Sequence, residues 1–175
     1  GATIEYFVSG PEGGYPVVVL LPSYARSVSD FNELAYSLNQ AGYLTVAVNL
    51  RGVEGSSLPD TDMTLHDYAA DVKAVLDAER HTSAIIVAHA YGNRIARTFA
   101  QDYPDLSDGL VLLAAGGEEP TPQATSLAIL KAQVSTLPRS IREESVRFAF
   151  FAEGNPVPAW WISGWYPAAG LAQAN

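Results

Sequence analysis

The 175-residue sequence contains no cysteine. Disulfides, a thiolate nucleophile and a cysteine-ligated metal are therefore excluded. Charge is scarce as well: charged residues make 17% of the chain and hydrophobic residues 48%, where an average soluble domain carries roughly 25% charge. A surface so thin in charge indicates apolar area covered by further polypeptide. The basic sign is the scarcer one, with 10 Lys and Arg against 19 Asp and Glu and a formal net charge of −9. No basic stripe is available to neutralise nucleic-acid phosphates. No uninterrupted apolar run nears the ~20 residues that cross a bilayer, which excludes a spanning helix. The three histidines, His66, His81 and His89, lack a ligand spacing such as H-x-x-x-H, so no metal is assigned. No G-x-G-x-x-G follows the first apolar run, where Pro22-Ser23-Tyr24-Ala25-Arg26 stands instead, which argues against a dinucleotide. No cofactor is expected.

What is present alternates between two periods. Pro16–Leu21, Tyr43–Val48, Ala84–Ala88 and Gly109–Ala114 are short continuous apolar runs, the pattern of strands buried on both faces. Between them lie helical patterns. Ser29-Asp30 with Glu33 predicts a cap, followed by Phe31, Leu34, Ala35 and Leu38 on one face. Thr64 with Asp67 predicts a capping box ahead of Leu65, Tyr68, Ala69, Val72, Val75 and Leu76. Gly92–Tyr103 reads as a third helix. Strand–helix alternation of this kind predicts an α/β fold, a mostly parallel sheet with helices on both faces. Thr3–Val8 is expected as an antiparallel edge strand. The composition changes after Gly117, so residues 1–117 are read as the core and 118–175 as a partial helical lid. The lid would hold amphipathic stretches near Thr125–Thr136 and Ser140–Ala152, then Trp160, Trp161, Trp165 and Tyr166. Its alternative is a helical subdomain that merely packs.

The segment Val87-Ala88-His89-Ala90-Tyr91-Gly92-Asn93 lies between a buried strand and a helix. A strand, a sharp turn and a helix, with glycine two residues past the apex, have the layout of a nucleophile elbow. The helix start offers backbone N–H groups to a developing negative charge. Leu20-Leu21-Pro22-Ser23-Tyr24 stands where an oxyanion loop would, and Asn49-Leu50-Arg51-Gly52-Val53-Glu54-Gly55-Ser56 resembles a D-x-R-G-x-G-x-S loop with Asn for Asp. In this order the pieces resemble the N-terminal part of an α/β-hydrolase, from Val17 to Leu113, with the lid as a looser match.

Three departures qualify what the resemblance implies. The apex is Ala90, whose methyl cannot attack a carbonyl. No histidine follows the elbow, although the family places its triad histidine there. The sheet stops after the fourth recognised strand, leaving that strand as an uncovered apolar edge. The chain starts at Gly1 without Met, and the expectation is an N-terminal portion of a longer product. A C-terminal segment or second polypeptide would then complete the sheet and supply acid and histidine. Ala90 is similar to the apex of family members with His-Ala-aromatic-Gly; an engineered Ser→Ala is the other reading, and a cleft that only binds ligand is a third.

The resemblance maps the oxyanion hole onto the backbone N–H groups of Tyr24 and Tyr91. The other reading of both tyrosines is simple packing. Ser23 is a candidate to orient water or substrate, or a turn residue. Arg26 is a candidate to hold a carboxylate, or a partner in a salt bridge. His89 is a candidate base, or a structural histidine. Glu118 is a candidate acid, or a solvated linker charge. Trp160, Trp161 and Trp165 would line an apolar substrate pocket, or form the lid's own core. The expected substrate is a small, largely apolar ester, amide or lactone.

Overall fold

A computed structural model describes all residues except Thr61, Gly117–Glu119 and Asn175. Among the described residues five strands form one sheet: β1 (Tyr6–Ser9), β2 (Val17–Leu21), β3 (Leu44–Val48), β4 (Ala84–His89) and β5 (Ser107–Leu113). Their spatial order is β1-β3-β2-β4-β5. The last four run parallel, with Val18 opposite both Thr45 and Ile85, and Val87 opposite Val111. β1 is the antiparallel edge, pairing Tyr6 with Val48. It begins at Tyr6 rather than Thr3.

The uninterrupted apolar runs of β2, β3 and β4 have a direct cause, since both faces of these three strands are covered. On one face Val19, Leu21, Val46, Val48, Ile86 and Ala88 pack with two helices, α2 (Leu65–Ala78) and α3 (Gly92–Asp102). Tyr68, Val72, Leu76, Ile95 and Phe99 are their buried contributions. On the other face Val18, Leu20, Ala47 and Val87 meet Val28 and Phe31 of a 3-10 turn (Val28–Phe31) and Leu34 and Leu38 of α1 (Asn32–Gln40). The Thr64 hydroxyl accepts from the Asp67 N–H while the Asp67 carboxylate accepts from the Thr64 N–H, so the capping box forms as expected.

The first helical segment starts differently from expectation. Ser27, not Ser29 or Asp30, caps the 3-10 turn, and α1 begins at Asn32 with no side-chain cap. Asp30 is drawn instead into an ion pair with Arg26.

The chain divides into two units. The first holds Gly1–Gly116 together with Ala168–Asn175, and the second Gly117–Pro167. Within the second, α4 (Gln123–Gln133) and α5 (Arg139–Phe150) lie where amphipathic stretches were expected, followed by the short α6 (Ala159–Ile162). The last helix, α7 (Pro167–Gln173), departs from the expected division: from Ala168 on it belongs with the sheet rather than with the lid residues. Ala169 and Gln173 are both buried there. Among the described residues β5 pairs only with β4, leaving Val111 44% and Leu112 38% exposed.

Candidate functional site

β4 ends at His89 and α3 begins at Gly92, so the chain reverses through Ala90 and Tyr91. Ala90 adopts φ +46, a left-handed conformation that costs a side-chain-bearing residue energy and marks a turn under constraint. The constraint is visible. The Ala90 N–H donates to the Leu113 carbonyl at 2.9 Å, and the Asn93 and Arg94 amides donate to the Ala90 and Tyr91 carbonyls. The buried Asn93 adds a side-chain bond from Nδ2 to the Leu113 carbonyl at 2.8 Å. Gly92 permits the reversal: a Cβ there would lie 2.7 Å from the Leu21 carbonyl oxygen. Only glycine lets α3 start this close to the end of β2.

The loop leaving β2 faces this turn. The Tyr24 and Tyr91 rings meet edge-to-face with centroids 6.2 Å apart, and Tyr68 meets Tyr91 the same way at 6.3 Å. Burial pushes the Tyr91 phenol up to about 12 and the Tyr68 phenol higher still, so both stay protonated at neutral pH. Ala25 next to Tyr24 also has positive φ, at +51. This loop is tied from outside: the Tyr24 hydroxyl donates to the Gly170 carbonyl at 2.7 Å, and the Ala25 N–H donates to Gln173 Oε1 at 2.7 Å. Two backbone segments, one from β2 and one from β4, are thereby held face to face at the carboxyl ends of parallel strands, where open α/β sheets bind ligands.

A profile of the alpha/beta hydrolase fold matches residues 16–149. The chain belongs to that family. Epoxide hydrolase B of Mycobacterium tuberculosis is 33% identical over 105 residues, which are 59% of this chain and 30% of that protein. Non-heme chloroperoxidase of Streptomyces lividans is 32% identical over 117 residues, 66% of this chain and 42% of that one. An esterase from Exiguobacterium antarcticum superposes with a TM-score of 0.79 at 18% identity, covering 99% of this chain and 69% of the esterase. The chain thus spans between 30% and 42% of the length of these curated relatives.

Within this hydrolase fold the candidate residues divide. Tyr24, Tyr91 and Ala90 come together as described. Ser23 is buried beside them and its carbonyl accepts the Arg26 N–H. Arg26 is only 2% exposed, and its guanidinium makes a two-pronged pair with Asp30, with Nε 2.8 Å from Oδ2. That is the salt-bridge alternative rather than an open anion clamp. His89 is half-buried; burial holds its pKa below the ordinary histidine value, Asp30 opposes that and Arg26 reinforces it. Trp161 and Trp165 form an aromatic cluster with Phe150 and Phe151, at centroid separations of 5.3 to 6.1 Å. Trp160 is 59% exposed and outside that cluster. Glu118 lies outside the described residues. Among the described residues, no three His, Cys, Asp or Glu side chains converge as a metal ion would need.

Sequence reasoning missed two residues that shape the site. Gln173 stands 148 positions from its partner Ala25, and no local pattern announces such a bond. Asn49 stands where the D-x-R-G-x-G-x-S loop has Asp. It is fully buried, its Oδ1 accepts from the Val28 N–H at 3.0 Å, and its Nδ2 donates to Glu5 at 2.8 Å and Glu54 at 3.2 Å. Two carboxylates on one side chain demand a donor, and an amide supplies it where a carboxylate could not.

Proposed function

We propose that this chain is the N-terminal part of a hydrolase acting on a small, largely apolar ester, amide or lactone, without a covalent step at Ala90. The observation that carries the reading is the turn at Ala90: a strained apex followed by the Tyr91 amide, facing the Tyr24 loop. Further polypeptide pairing along β5 would supply the acid and the histidine. In this scheme a water molecule adds its oxygen to the substrate carbonyl carbon, and its proton passes to that histidine. Negative charge grows on the carbonyl oxygen toward the Tyr24 and Tyr91 N–H groups. The tetrahedral adduct then collapses, and the leaving alcohol or amine takes the proton back. Oxyanion stabilisation and positioning contribute rate even where no nucleophile is present. The hydrolase names among the relatives, an epoxide hydrolase and an esterase, support a hydrolytic reading.

The methyl group at the apex favours one second reading, a ligand-binding protein that has kept the fold and lost turnover. Both are tested on the complete protein with a panel of p-nitrophenyl esters, followed by replacement of the histidine supplied beyond this chain. Turnover that falls by orders of magnitude on that replacement supports the enzyme. Unchanged turnover after it defeats the scheme, and ligand retained tightly without product supports the binding reading.

A further inference from the structure

We infer that α7 is a latch on the loop leaving β2, and that Gln173 is the positioning residue that sets the Tyr24–Ala25 backbone against the turn at Ala90. The inference rests on the oxyanion reading for its catalytic consequence, but not for the latch itself.

Three contacts come from one short helix. The Gly170 carbonyl takes the Tyr24 hydroxyl, and Gln173 Oε1 takes the Ala25 N–H, both at 2.7 Å. Positions 170 and 173 are one turn apart and share a helix face. Ala169, fully buried, presses on the loop after β3: a Cβ on Gly52 would lie 2.7 Å from the Ala169 nitrogen and 2.8 Å from its Cα. The helix is thereby fixed to two loops of the sheet's carboxyl edge at once.

The choice of glutamine argues for a specific role. Gln173 is 3% exposed, and its Nε2 has no hydrogen-bond partner among the described residues. Burying an amide with its donors unused costs stability, and a helix docked only for packing would carry leucine or methionine there. What the side chain delivers is its oxygen, to one backbone amide. That amide belongs to Ala25, whose φ of +51 is a conformation that persists only when its surroundings hold it. Tyr24, between the latch and the Tyr91 ring, is the residue whose placement this decides.

The test uses the full-length protein carrying this chain, with Gln173→Leu and Gln173→Glu. Glutamate keeps an acceptor oxygen in either protonation state; leucine has none. Hydrogen exchange at the Ala25 amide should accelerate about tenfold in Gln173→Leu and return toward wild type in Gln173→Glu. The Ile86 amide in β4 should stay protected, which separates release of the loop from failure to fold. On an ester that the wild type hydrolyses, Gln173→Leu should lower kcat about tenfold or more with KM little changed. Unchanged Ala25 exchange in Gln173→Leu overturns the latch. Faster exchange with unchanged kcat overturns the positioning role. A wild type that turns over no ester defeats the hydrolase reading instead, and the latch then stands or falls on the exchange data alone.

Discussion

Replacing Gly92 by alanine tests how the turn at Ala90 is built. The added Cβ would lie 2.7 Å from the Leu21 carbonyl oxygen, 2.8 Å from that of Pro22 and 3.1 Å from the Leu21 carbonyl carbon. All three are backbone atoms, so no change of rotamer relieves the contact and α3 must move off the end of β2. Overpacking of this kind costs about 1–3 kcal/mol. Contacts this short to backbone atoms belong in the upper part of that range, about 2–3 kcal/mol, and alanine at the first position of α3 recovers about 1 kcal/mol of helix propensity, which leaves a net loss of about 1–2 kcal/mol. For a domain of this size each kcal/mol moves the melting midpoint by about 2–4 °C, so Gly92→Ala should melt about 2–8 °C below wild type by circular dichroism. Ala90→Gly is the control of opposite sign. Left-handed backbone costs alanine about 1–2 kcal/mol, and glycine's freedom in the unfolded chain takes back about 0.4–1 kcal/mol. Its midpoint should hold or rise by a few degrees. A Gly92→Ala protein that melts with wild type would refute the close approach of α3 to β2, and the placement of the Tyr91 amide with it.

Three further expectations follow from single contacts. Asn49→Asp puts a third carboxylate beside Glu5 and Glu54 and should cost about 2–4 kcal/mol at pH 7.5 by urea denaturation. The new carboxyl would have a folded pKa above its unfolded one, so the loss should shrink on acidification, and an equal loss at pH 5 would contradict the donor argument. Thr64→Ala removes the capping box of α2 and should cost about 1 kcal/mol, read as a lower urea midpoint at unchanged slope. His89 has a pKa lowered by burial, so the unfolded chain takes up its proton first. Stability should therefore decline as pH falls below the ordinary histidine range, and His89→Gln should flatten that decline; a variant with the wild-type pH profile would show that His89 is not the group responsible.

The sheet was legible because β2, β3 and β4 are covered on both faces, and their residues are apolar without interruption. The capping box at Thr64 was legible because both of its halves are local. The start of the first helical segment was not, since Asp30 could cap or pair, and the buried guanidinium of Arg26 took it. α7 has no amphipathic repeat long enough to read, and Gly170 interrupts it; what holds it is a set of contacts to residues far back in the chain. The aromatic residues near the end were readable as a cluster, yet Trp160 and Trp161 are neighbours with opposite fates, which composition does not distinguish. At the turn the layout could be read from spacing alone. The tie from Gln173 to Ala25 could not.

The order of strands has a consequence for how the molecule is made. β2 sits at the centre, flanked by β3 from the next stretch of chain and by β4 from much further on. An emerging polypeptide can therefore pair β2 on one flank early, but its other flank waits until Ala84–His89 has left the ribosome. Any product interrupted before that point would present the Val17–Leu21 backbone, the most apolar ladder of the fold, with one row of amides and carbonyls open to other chains.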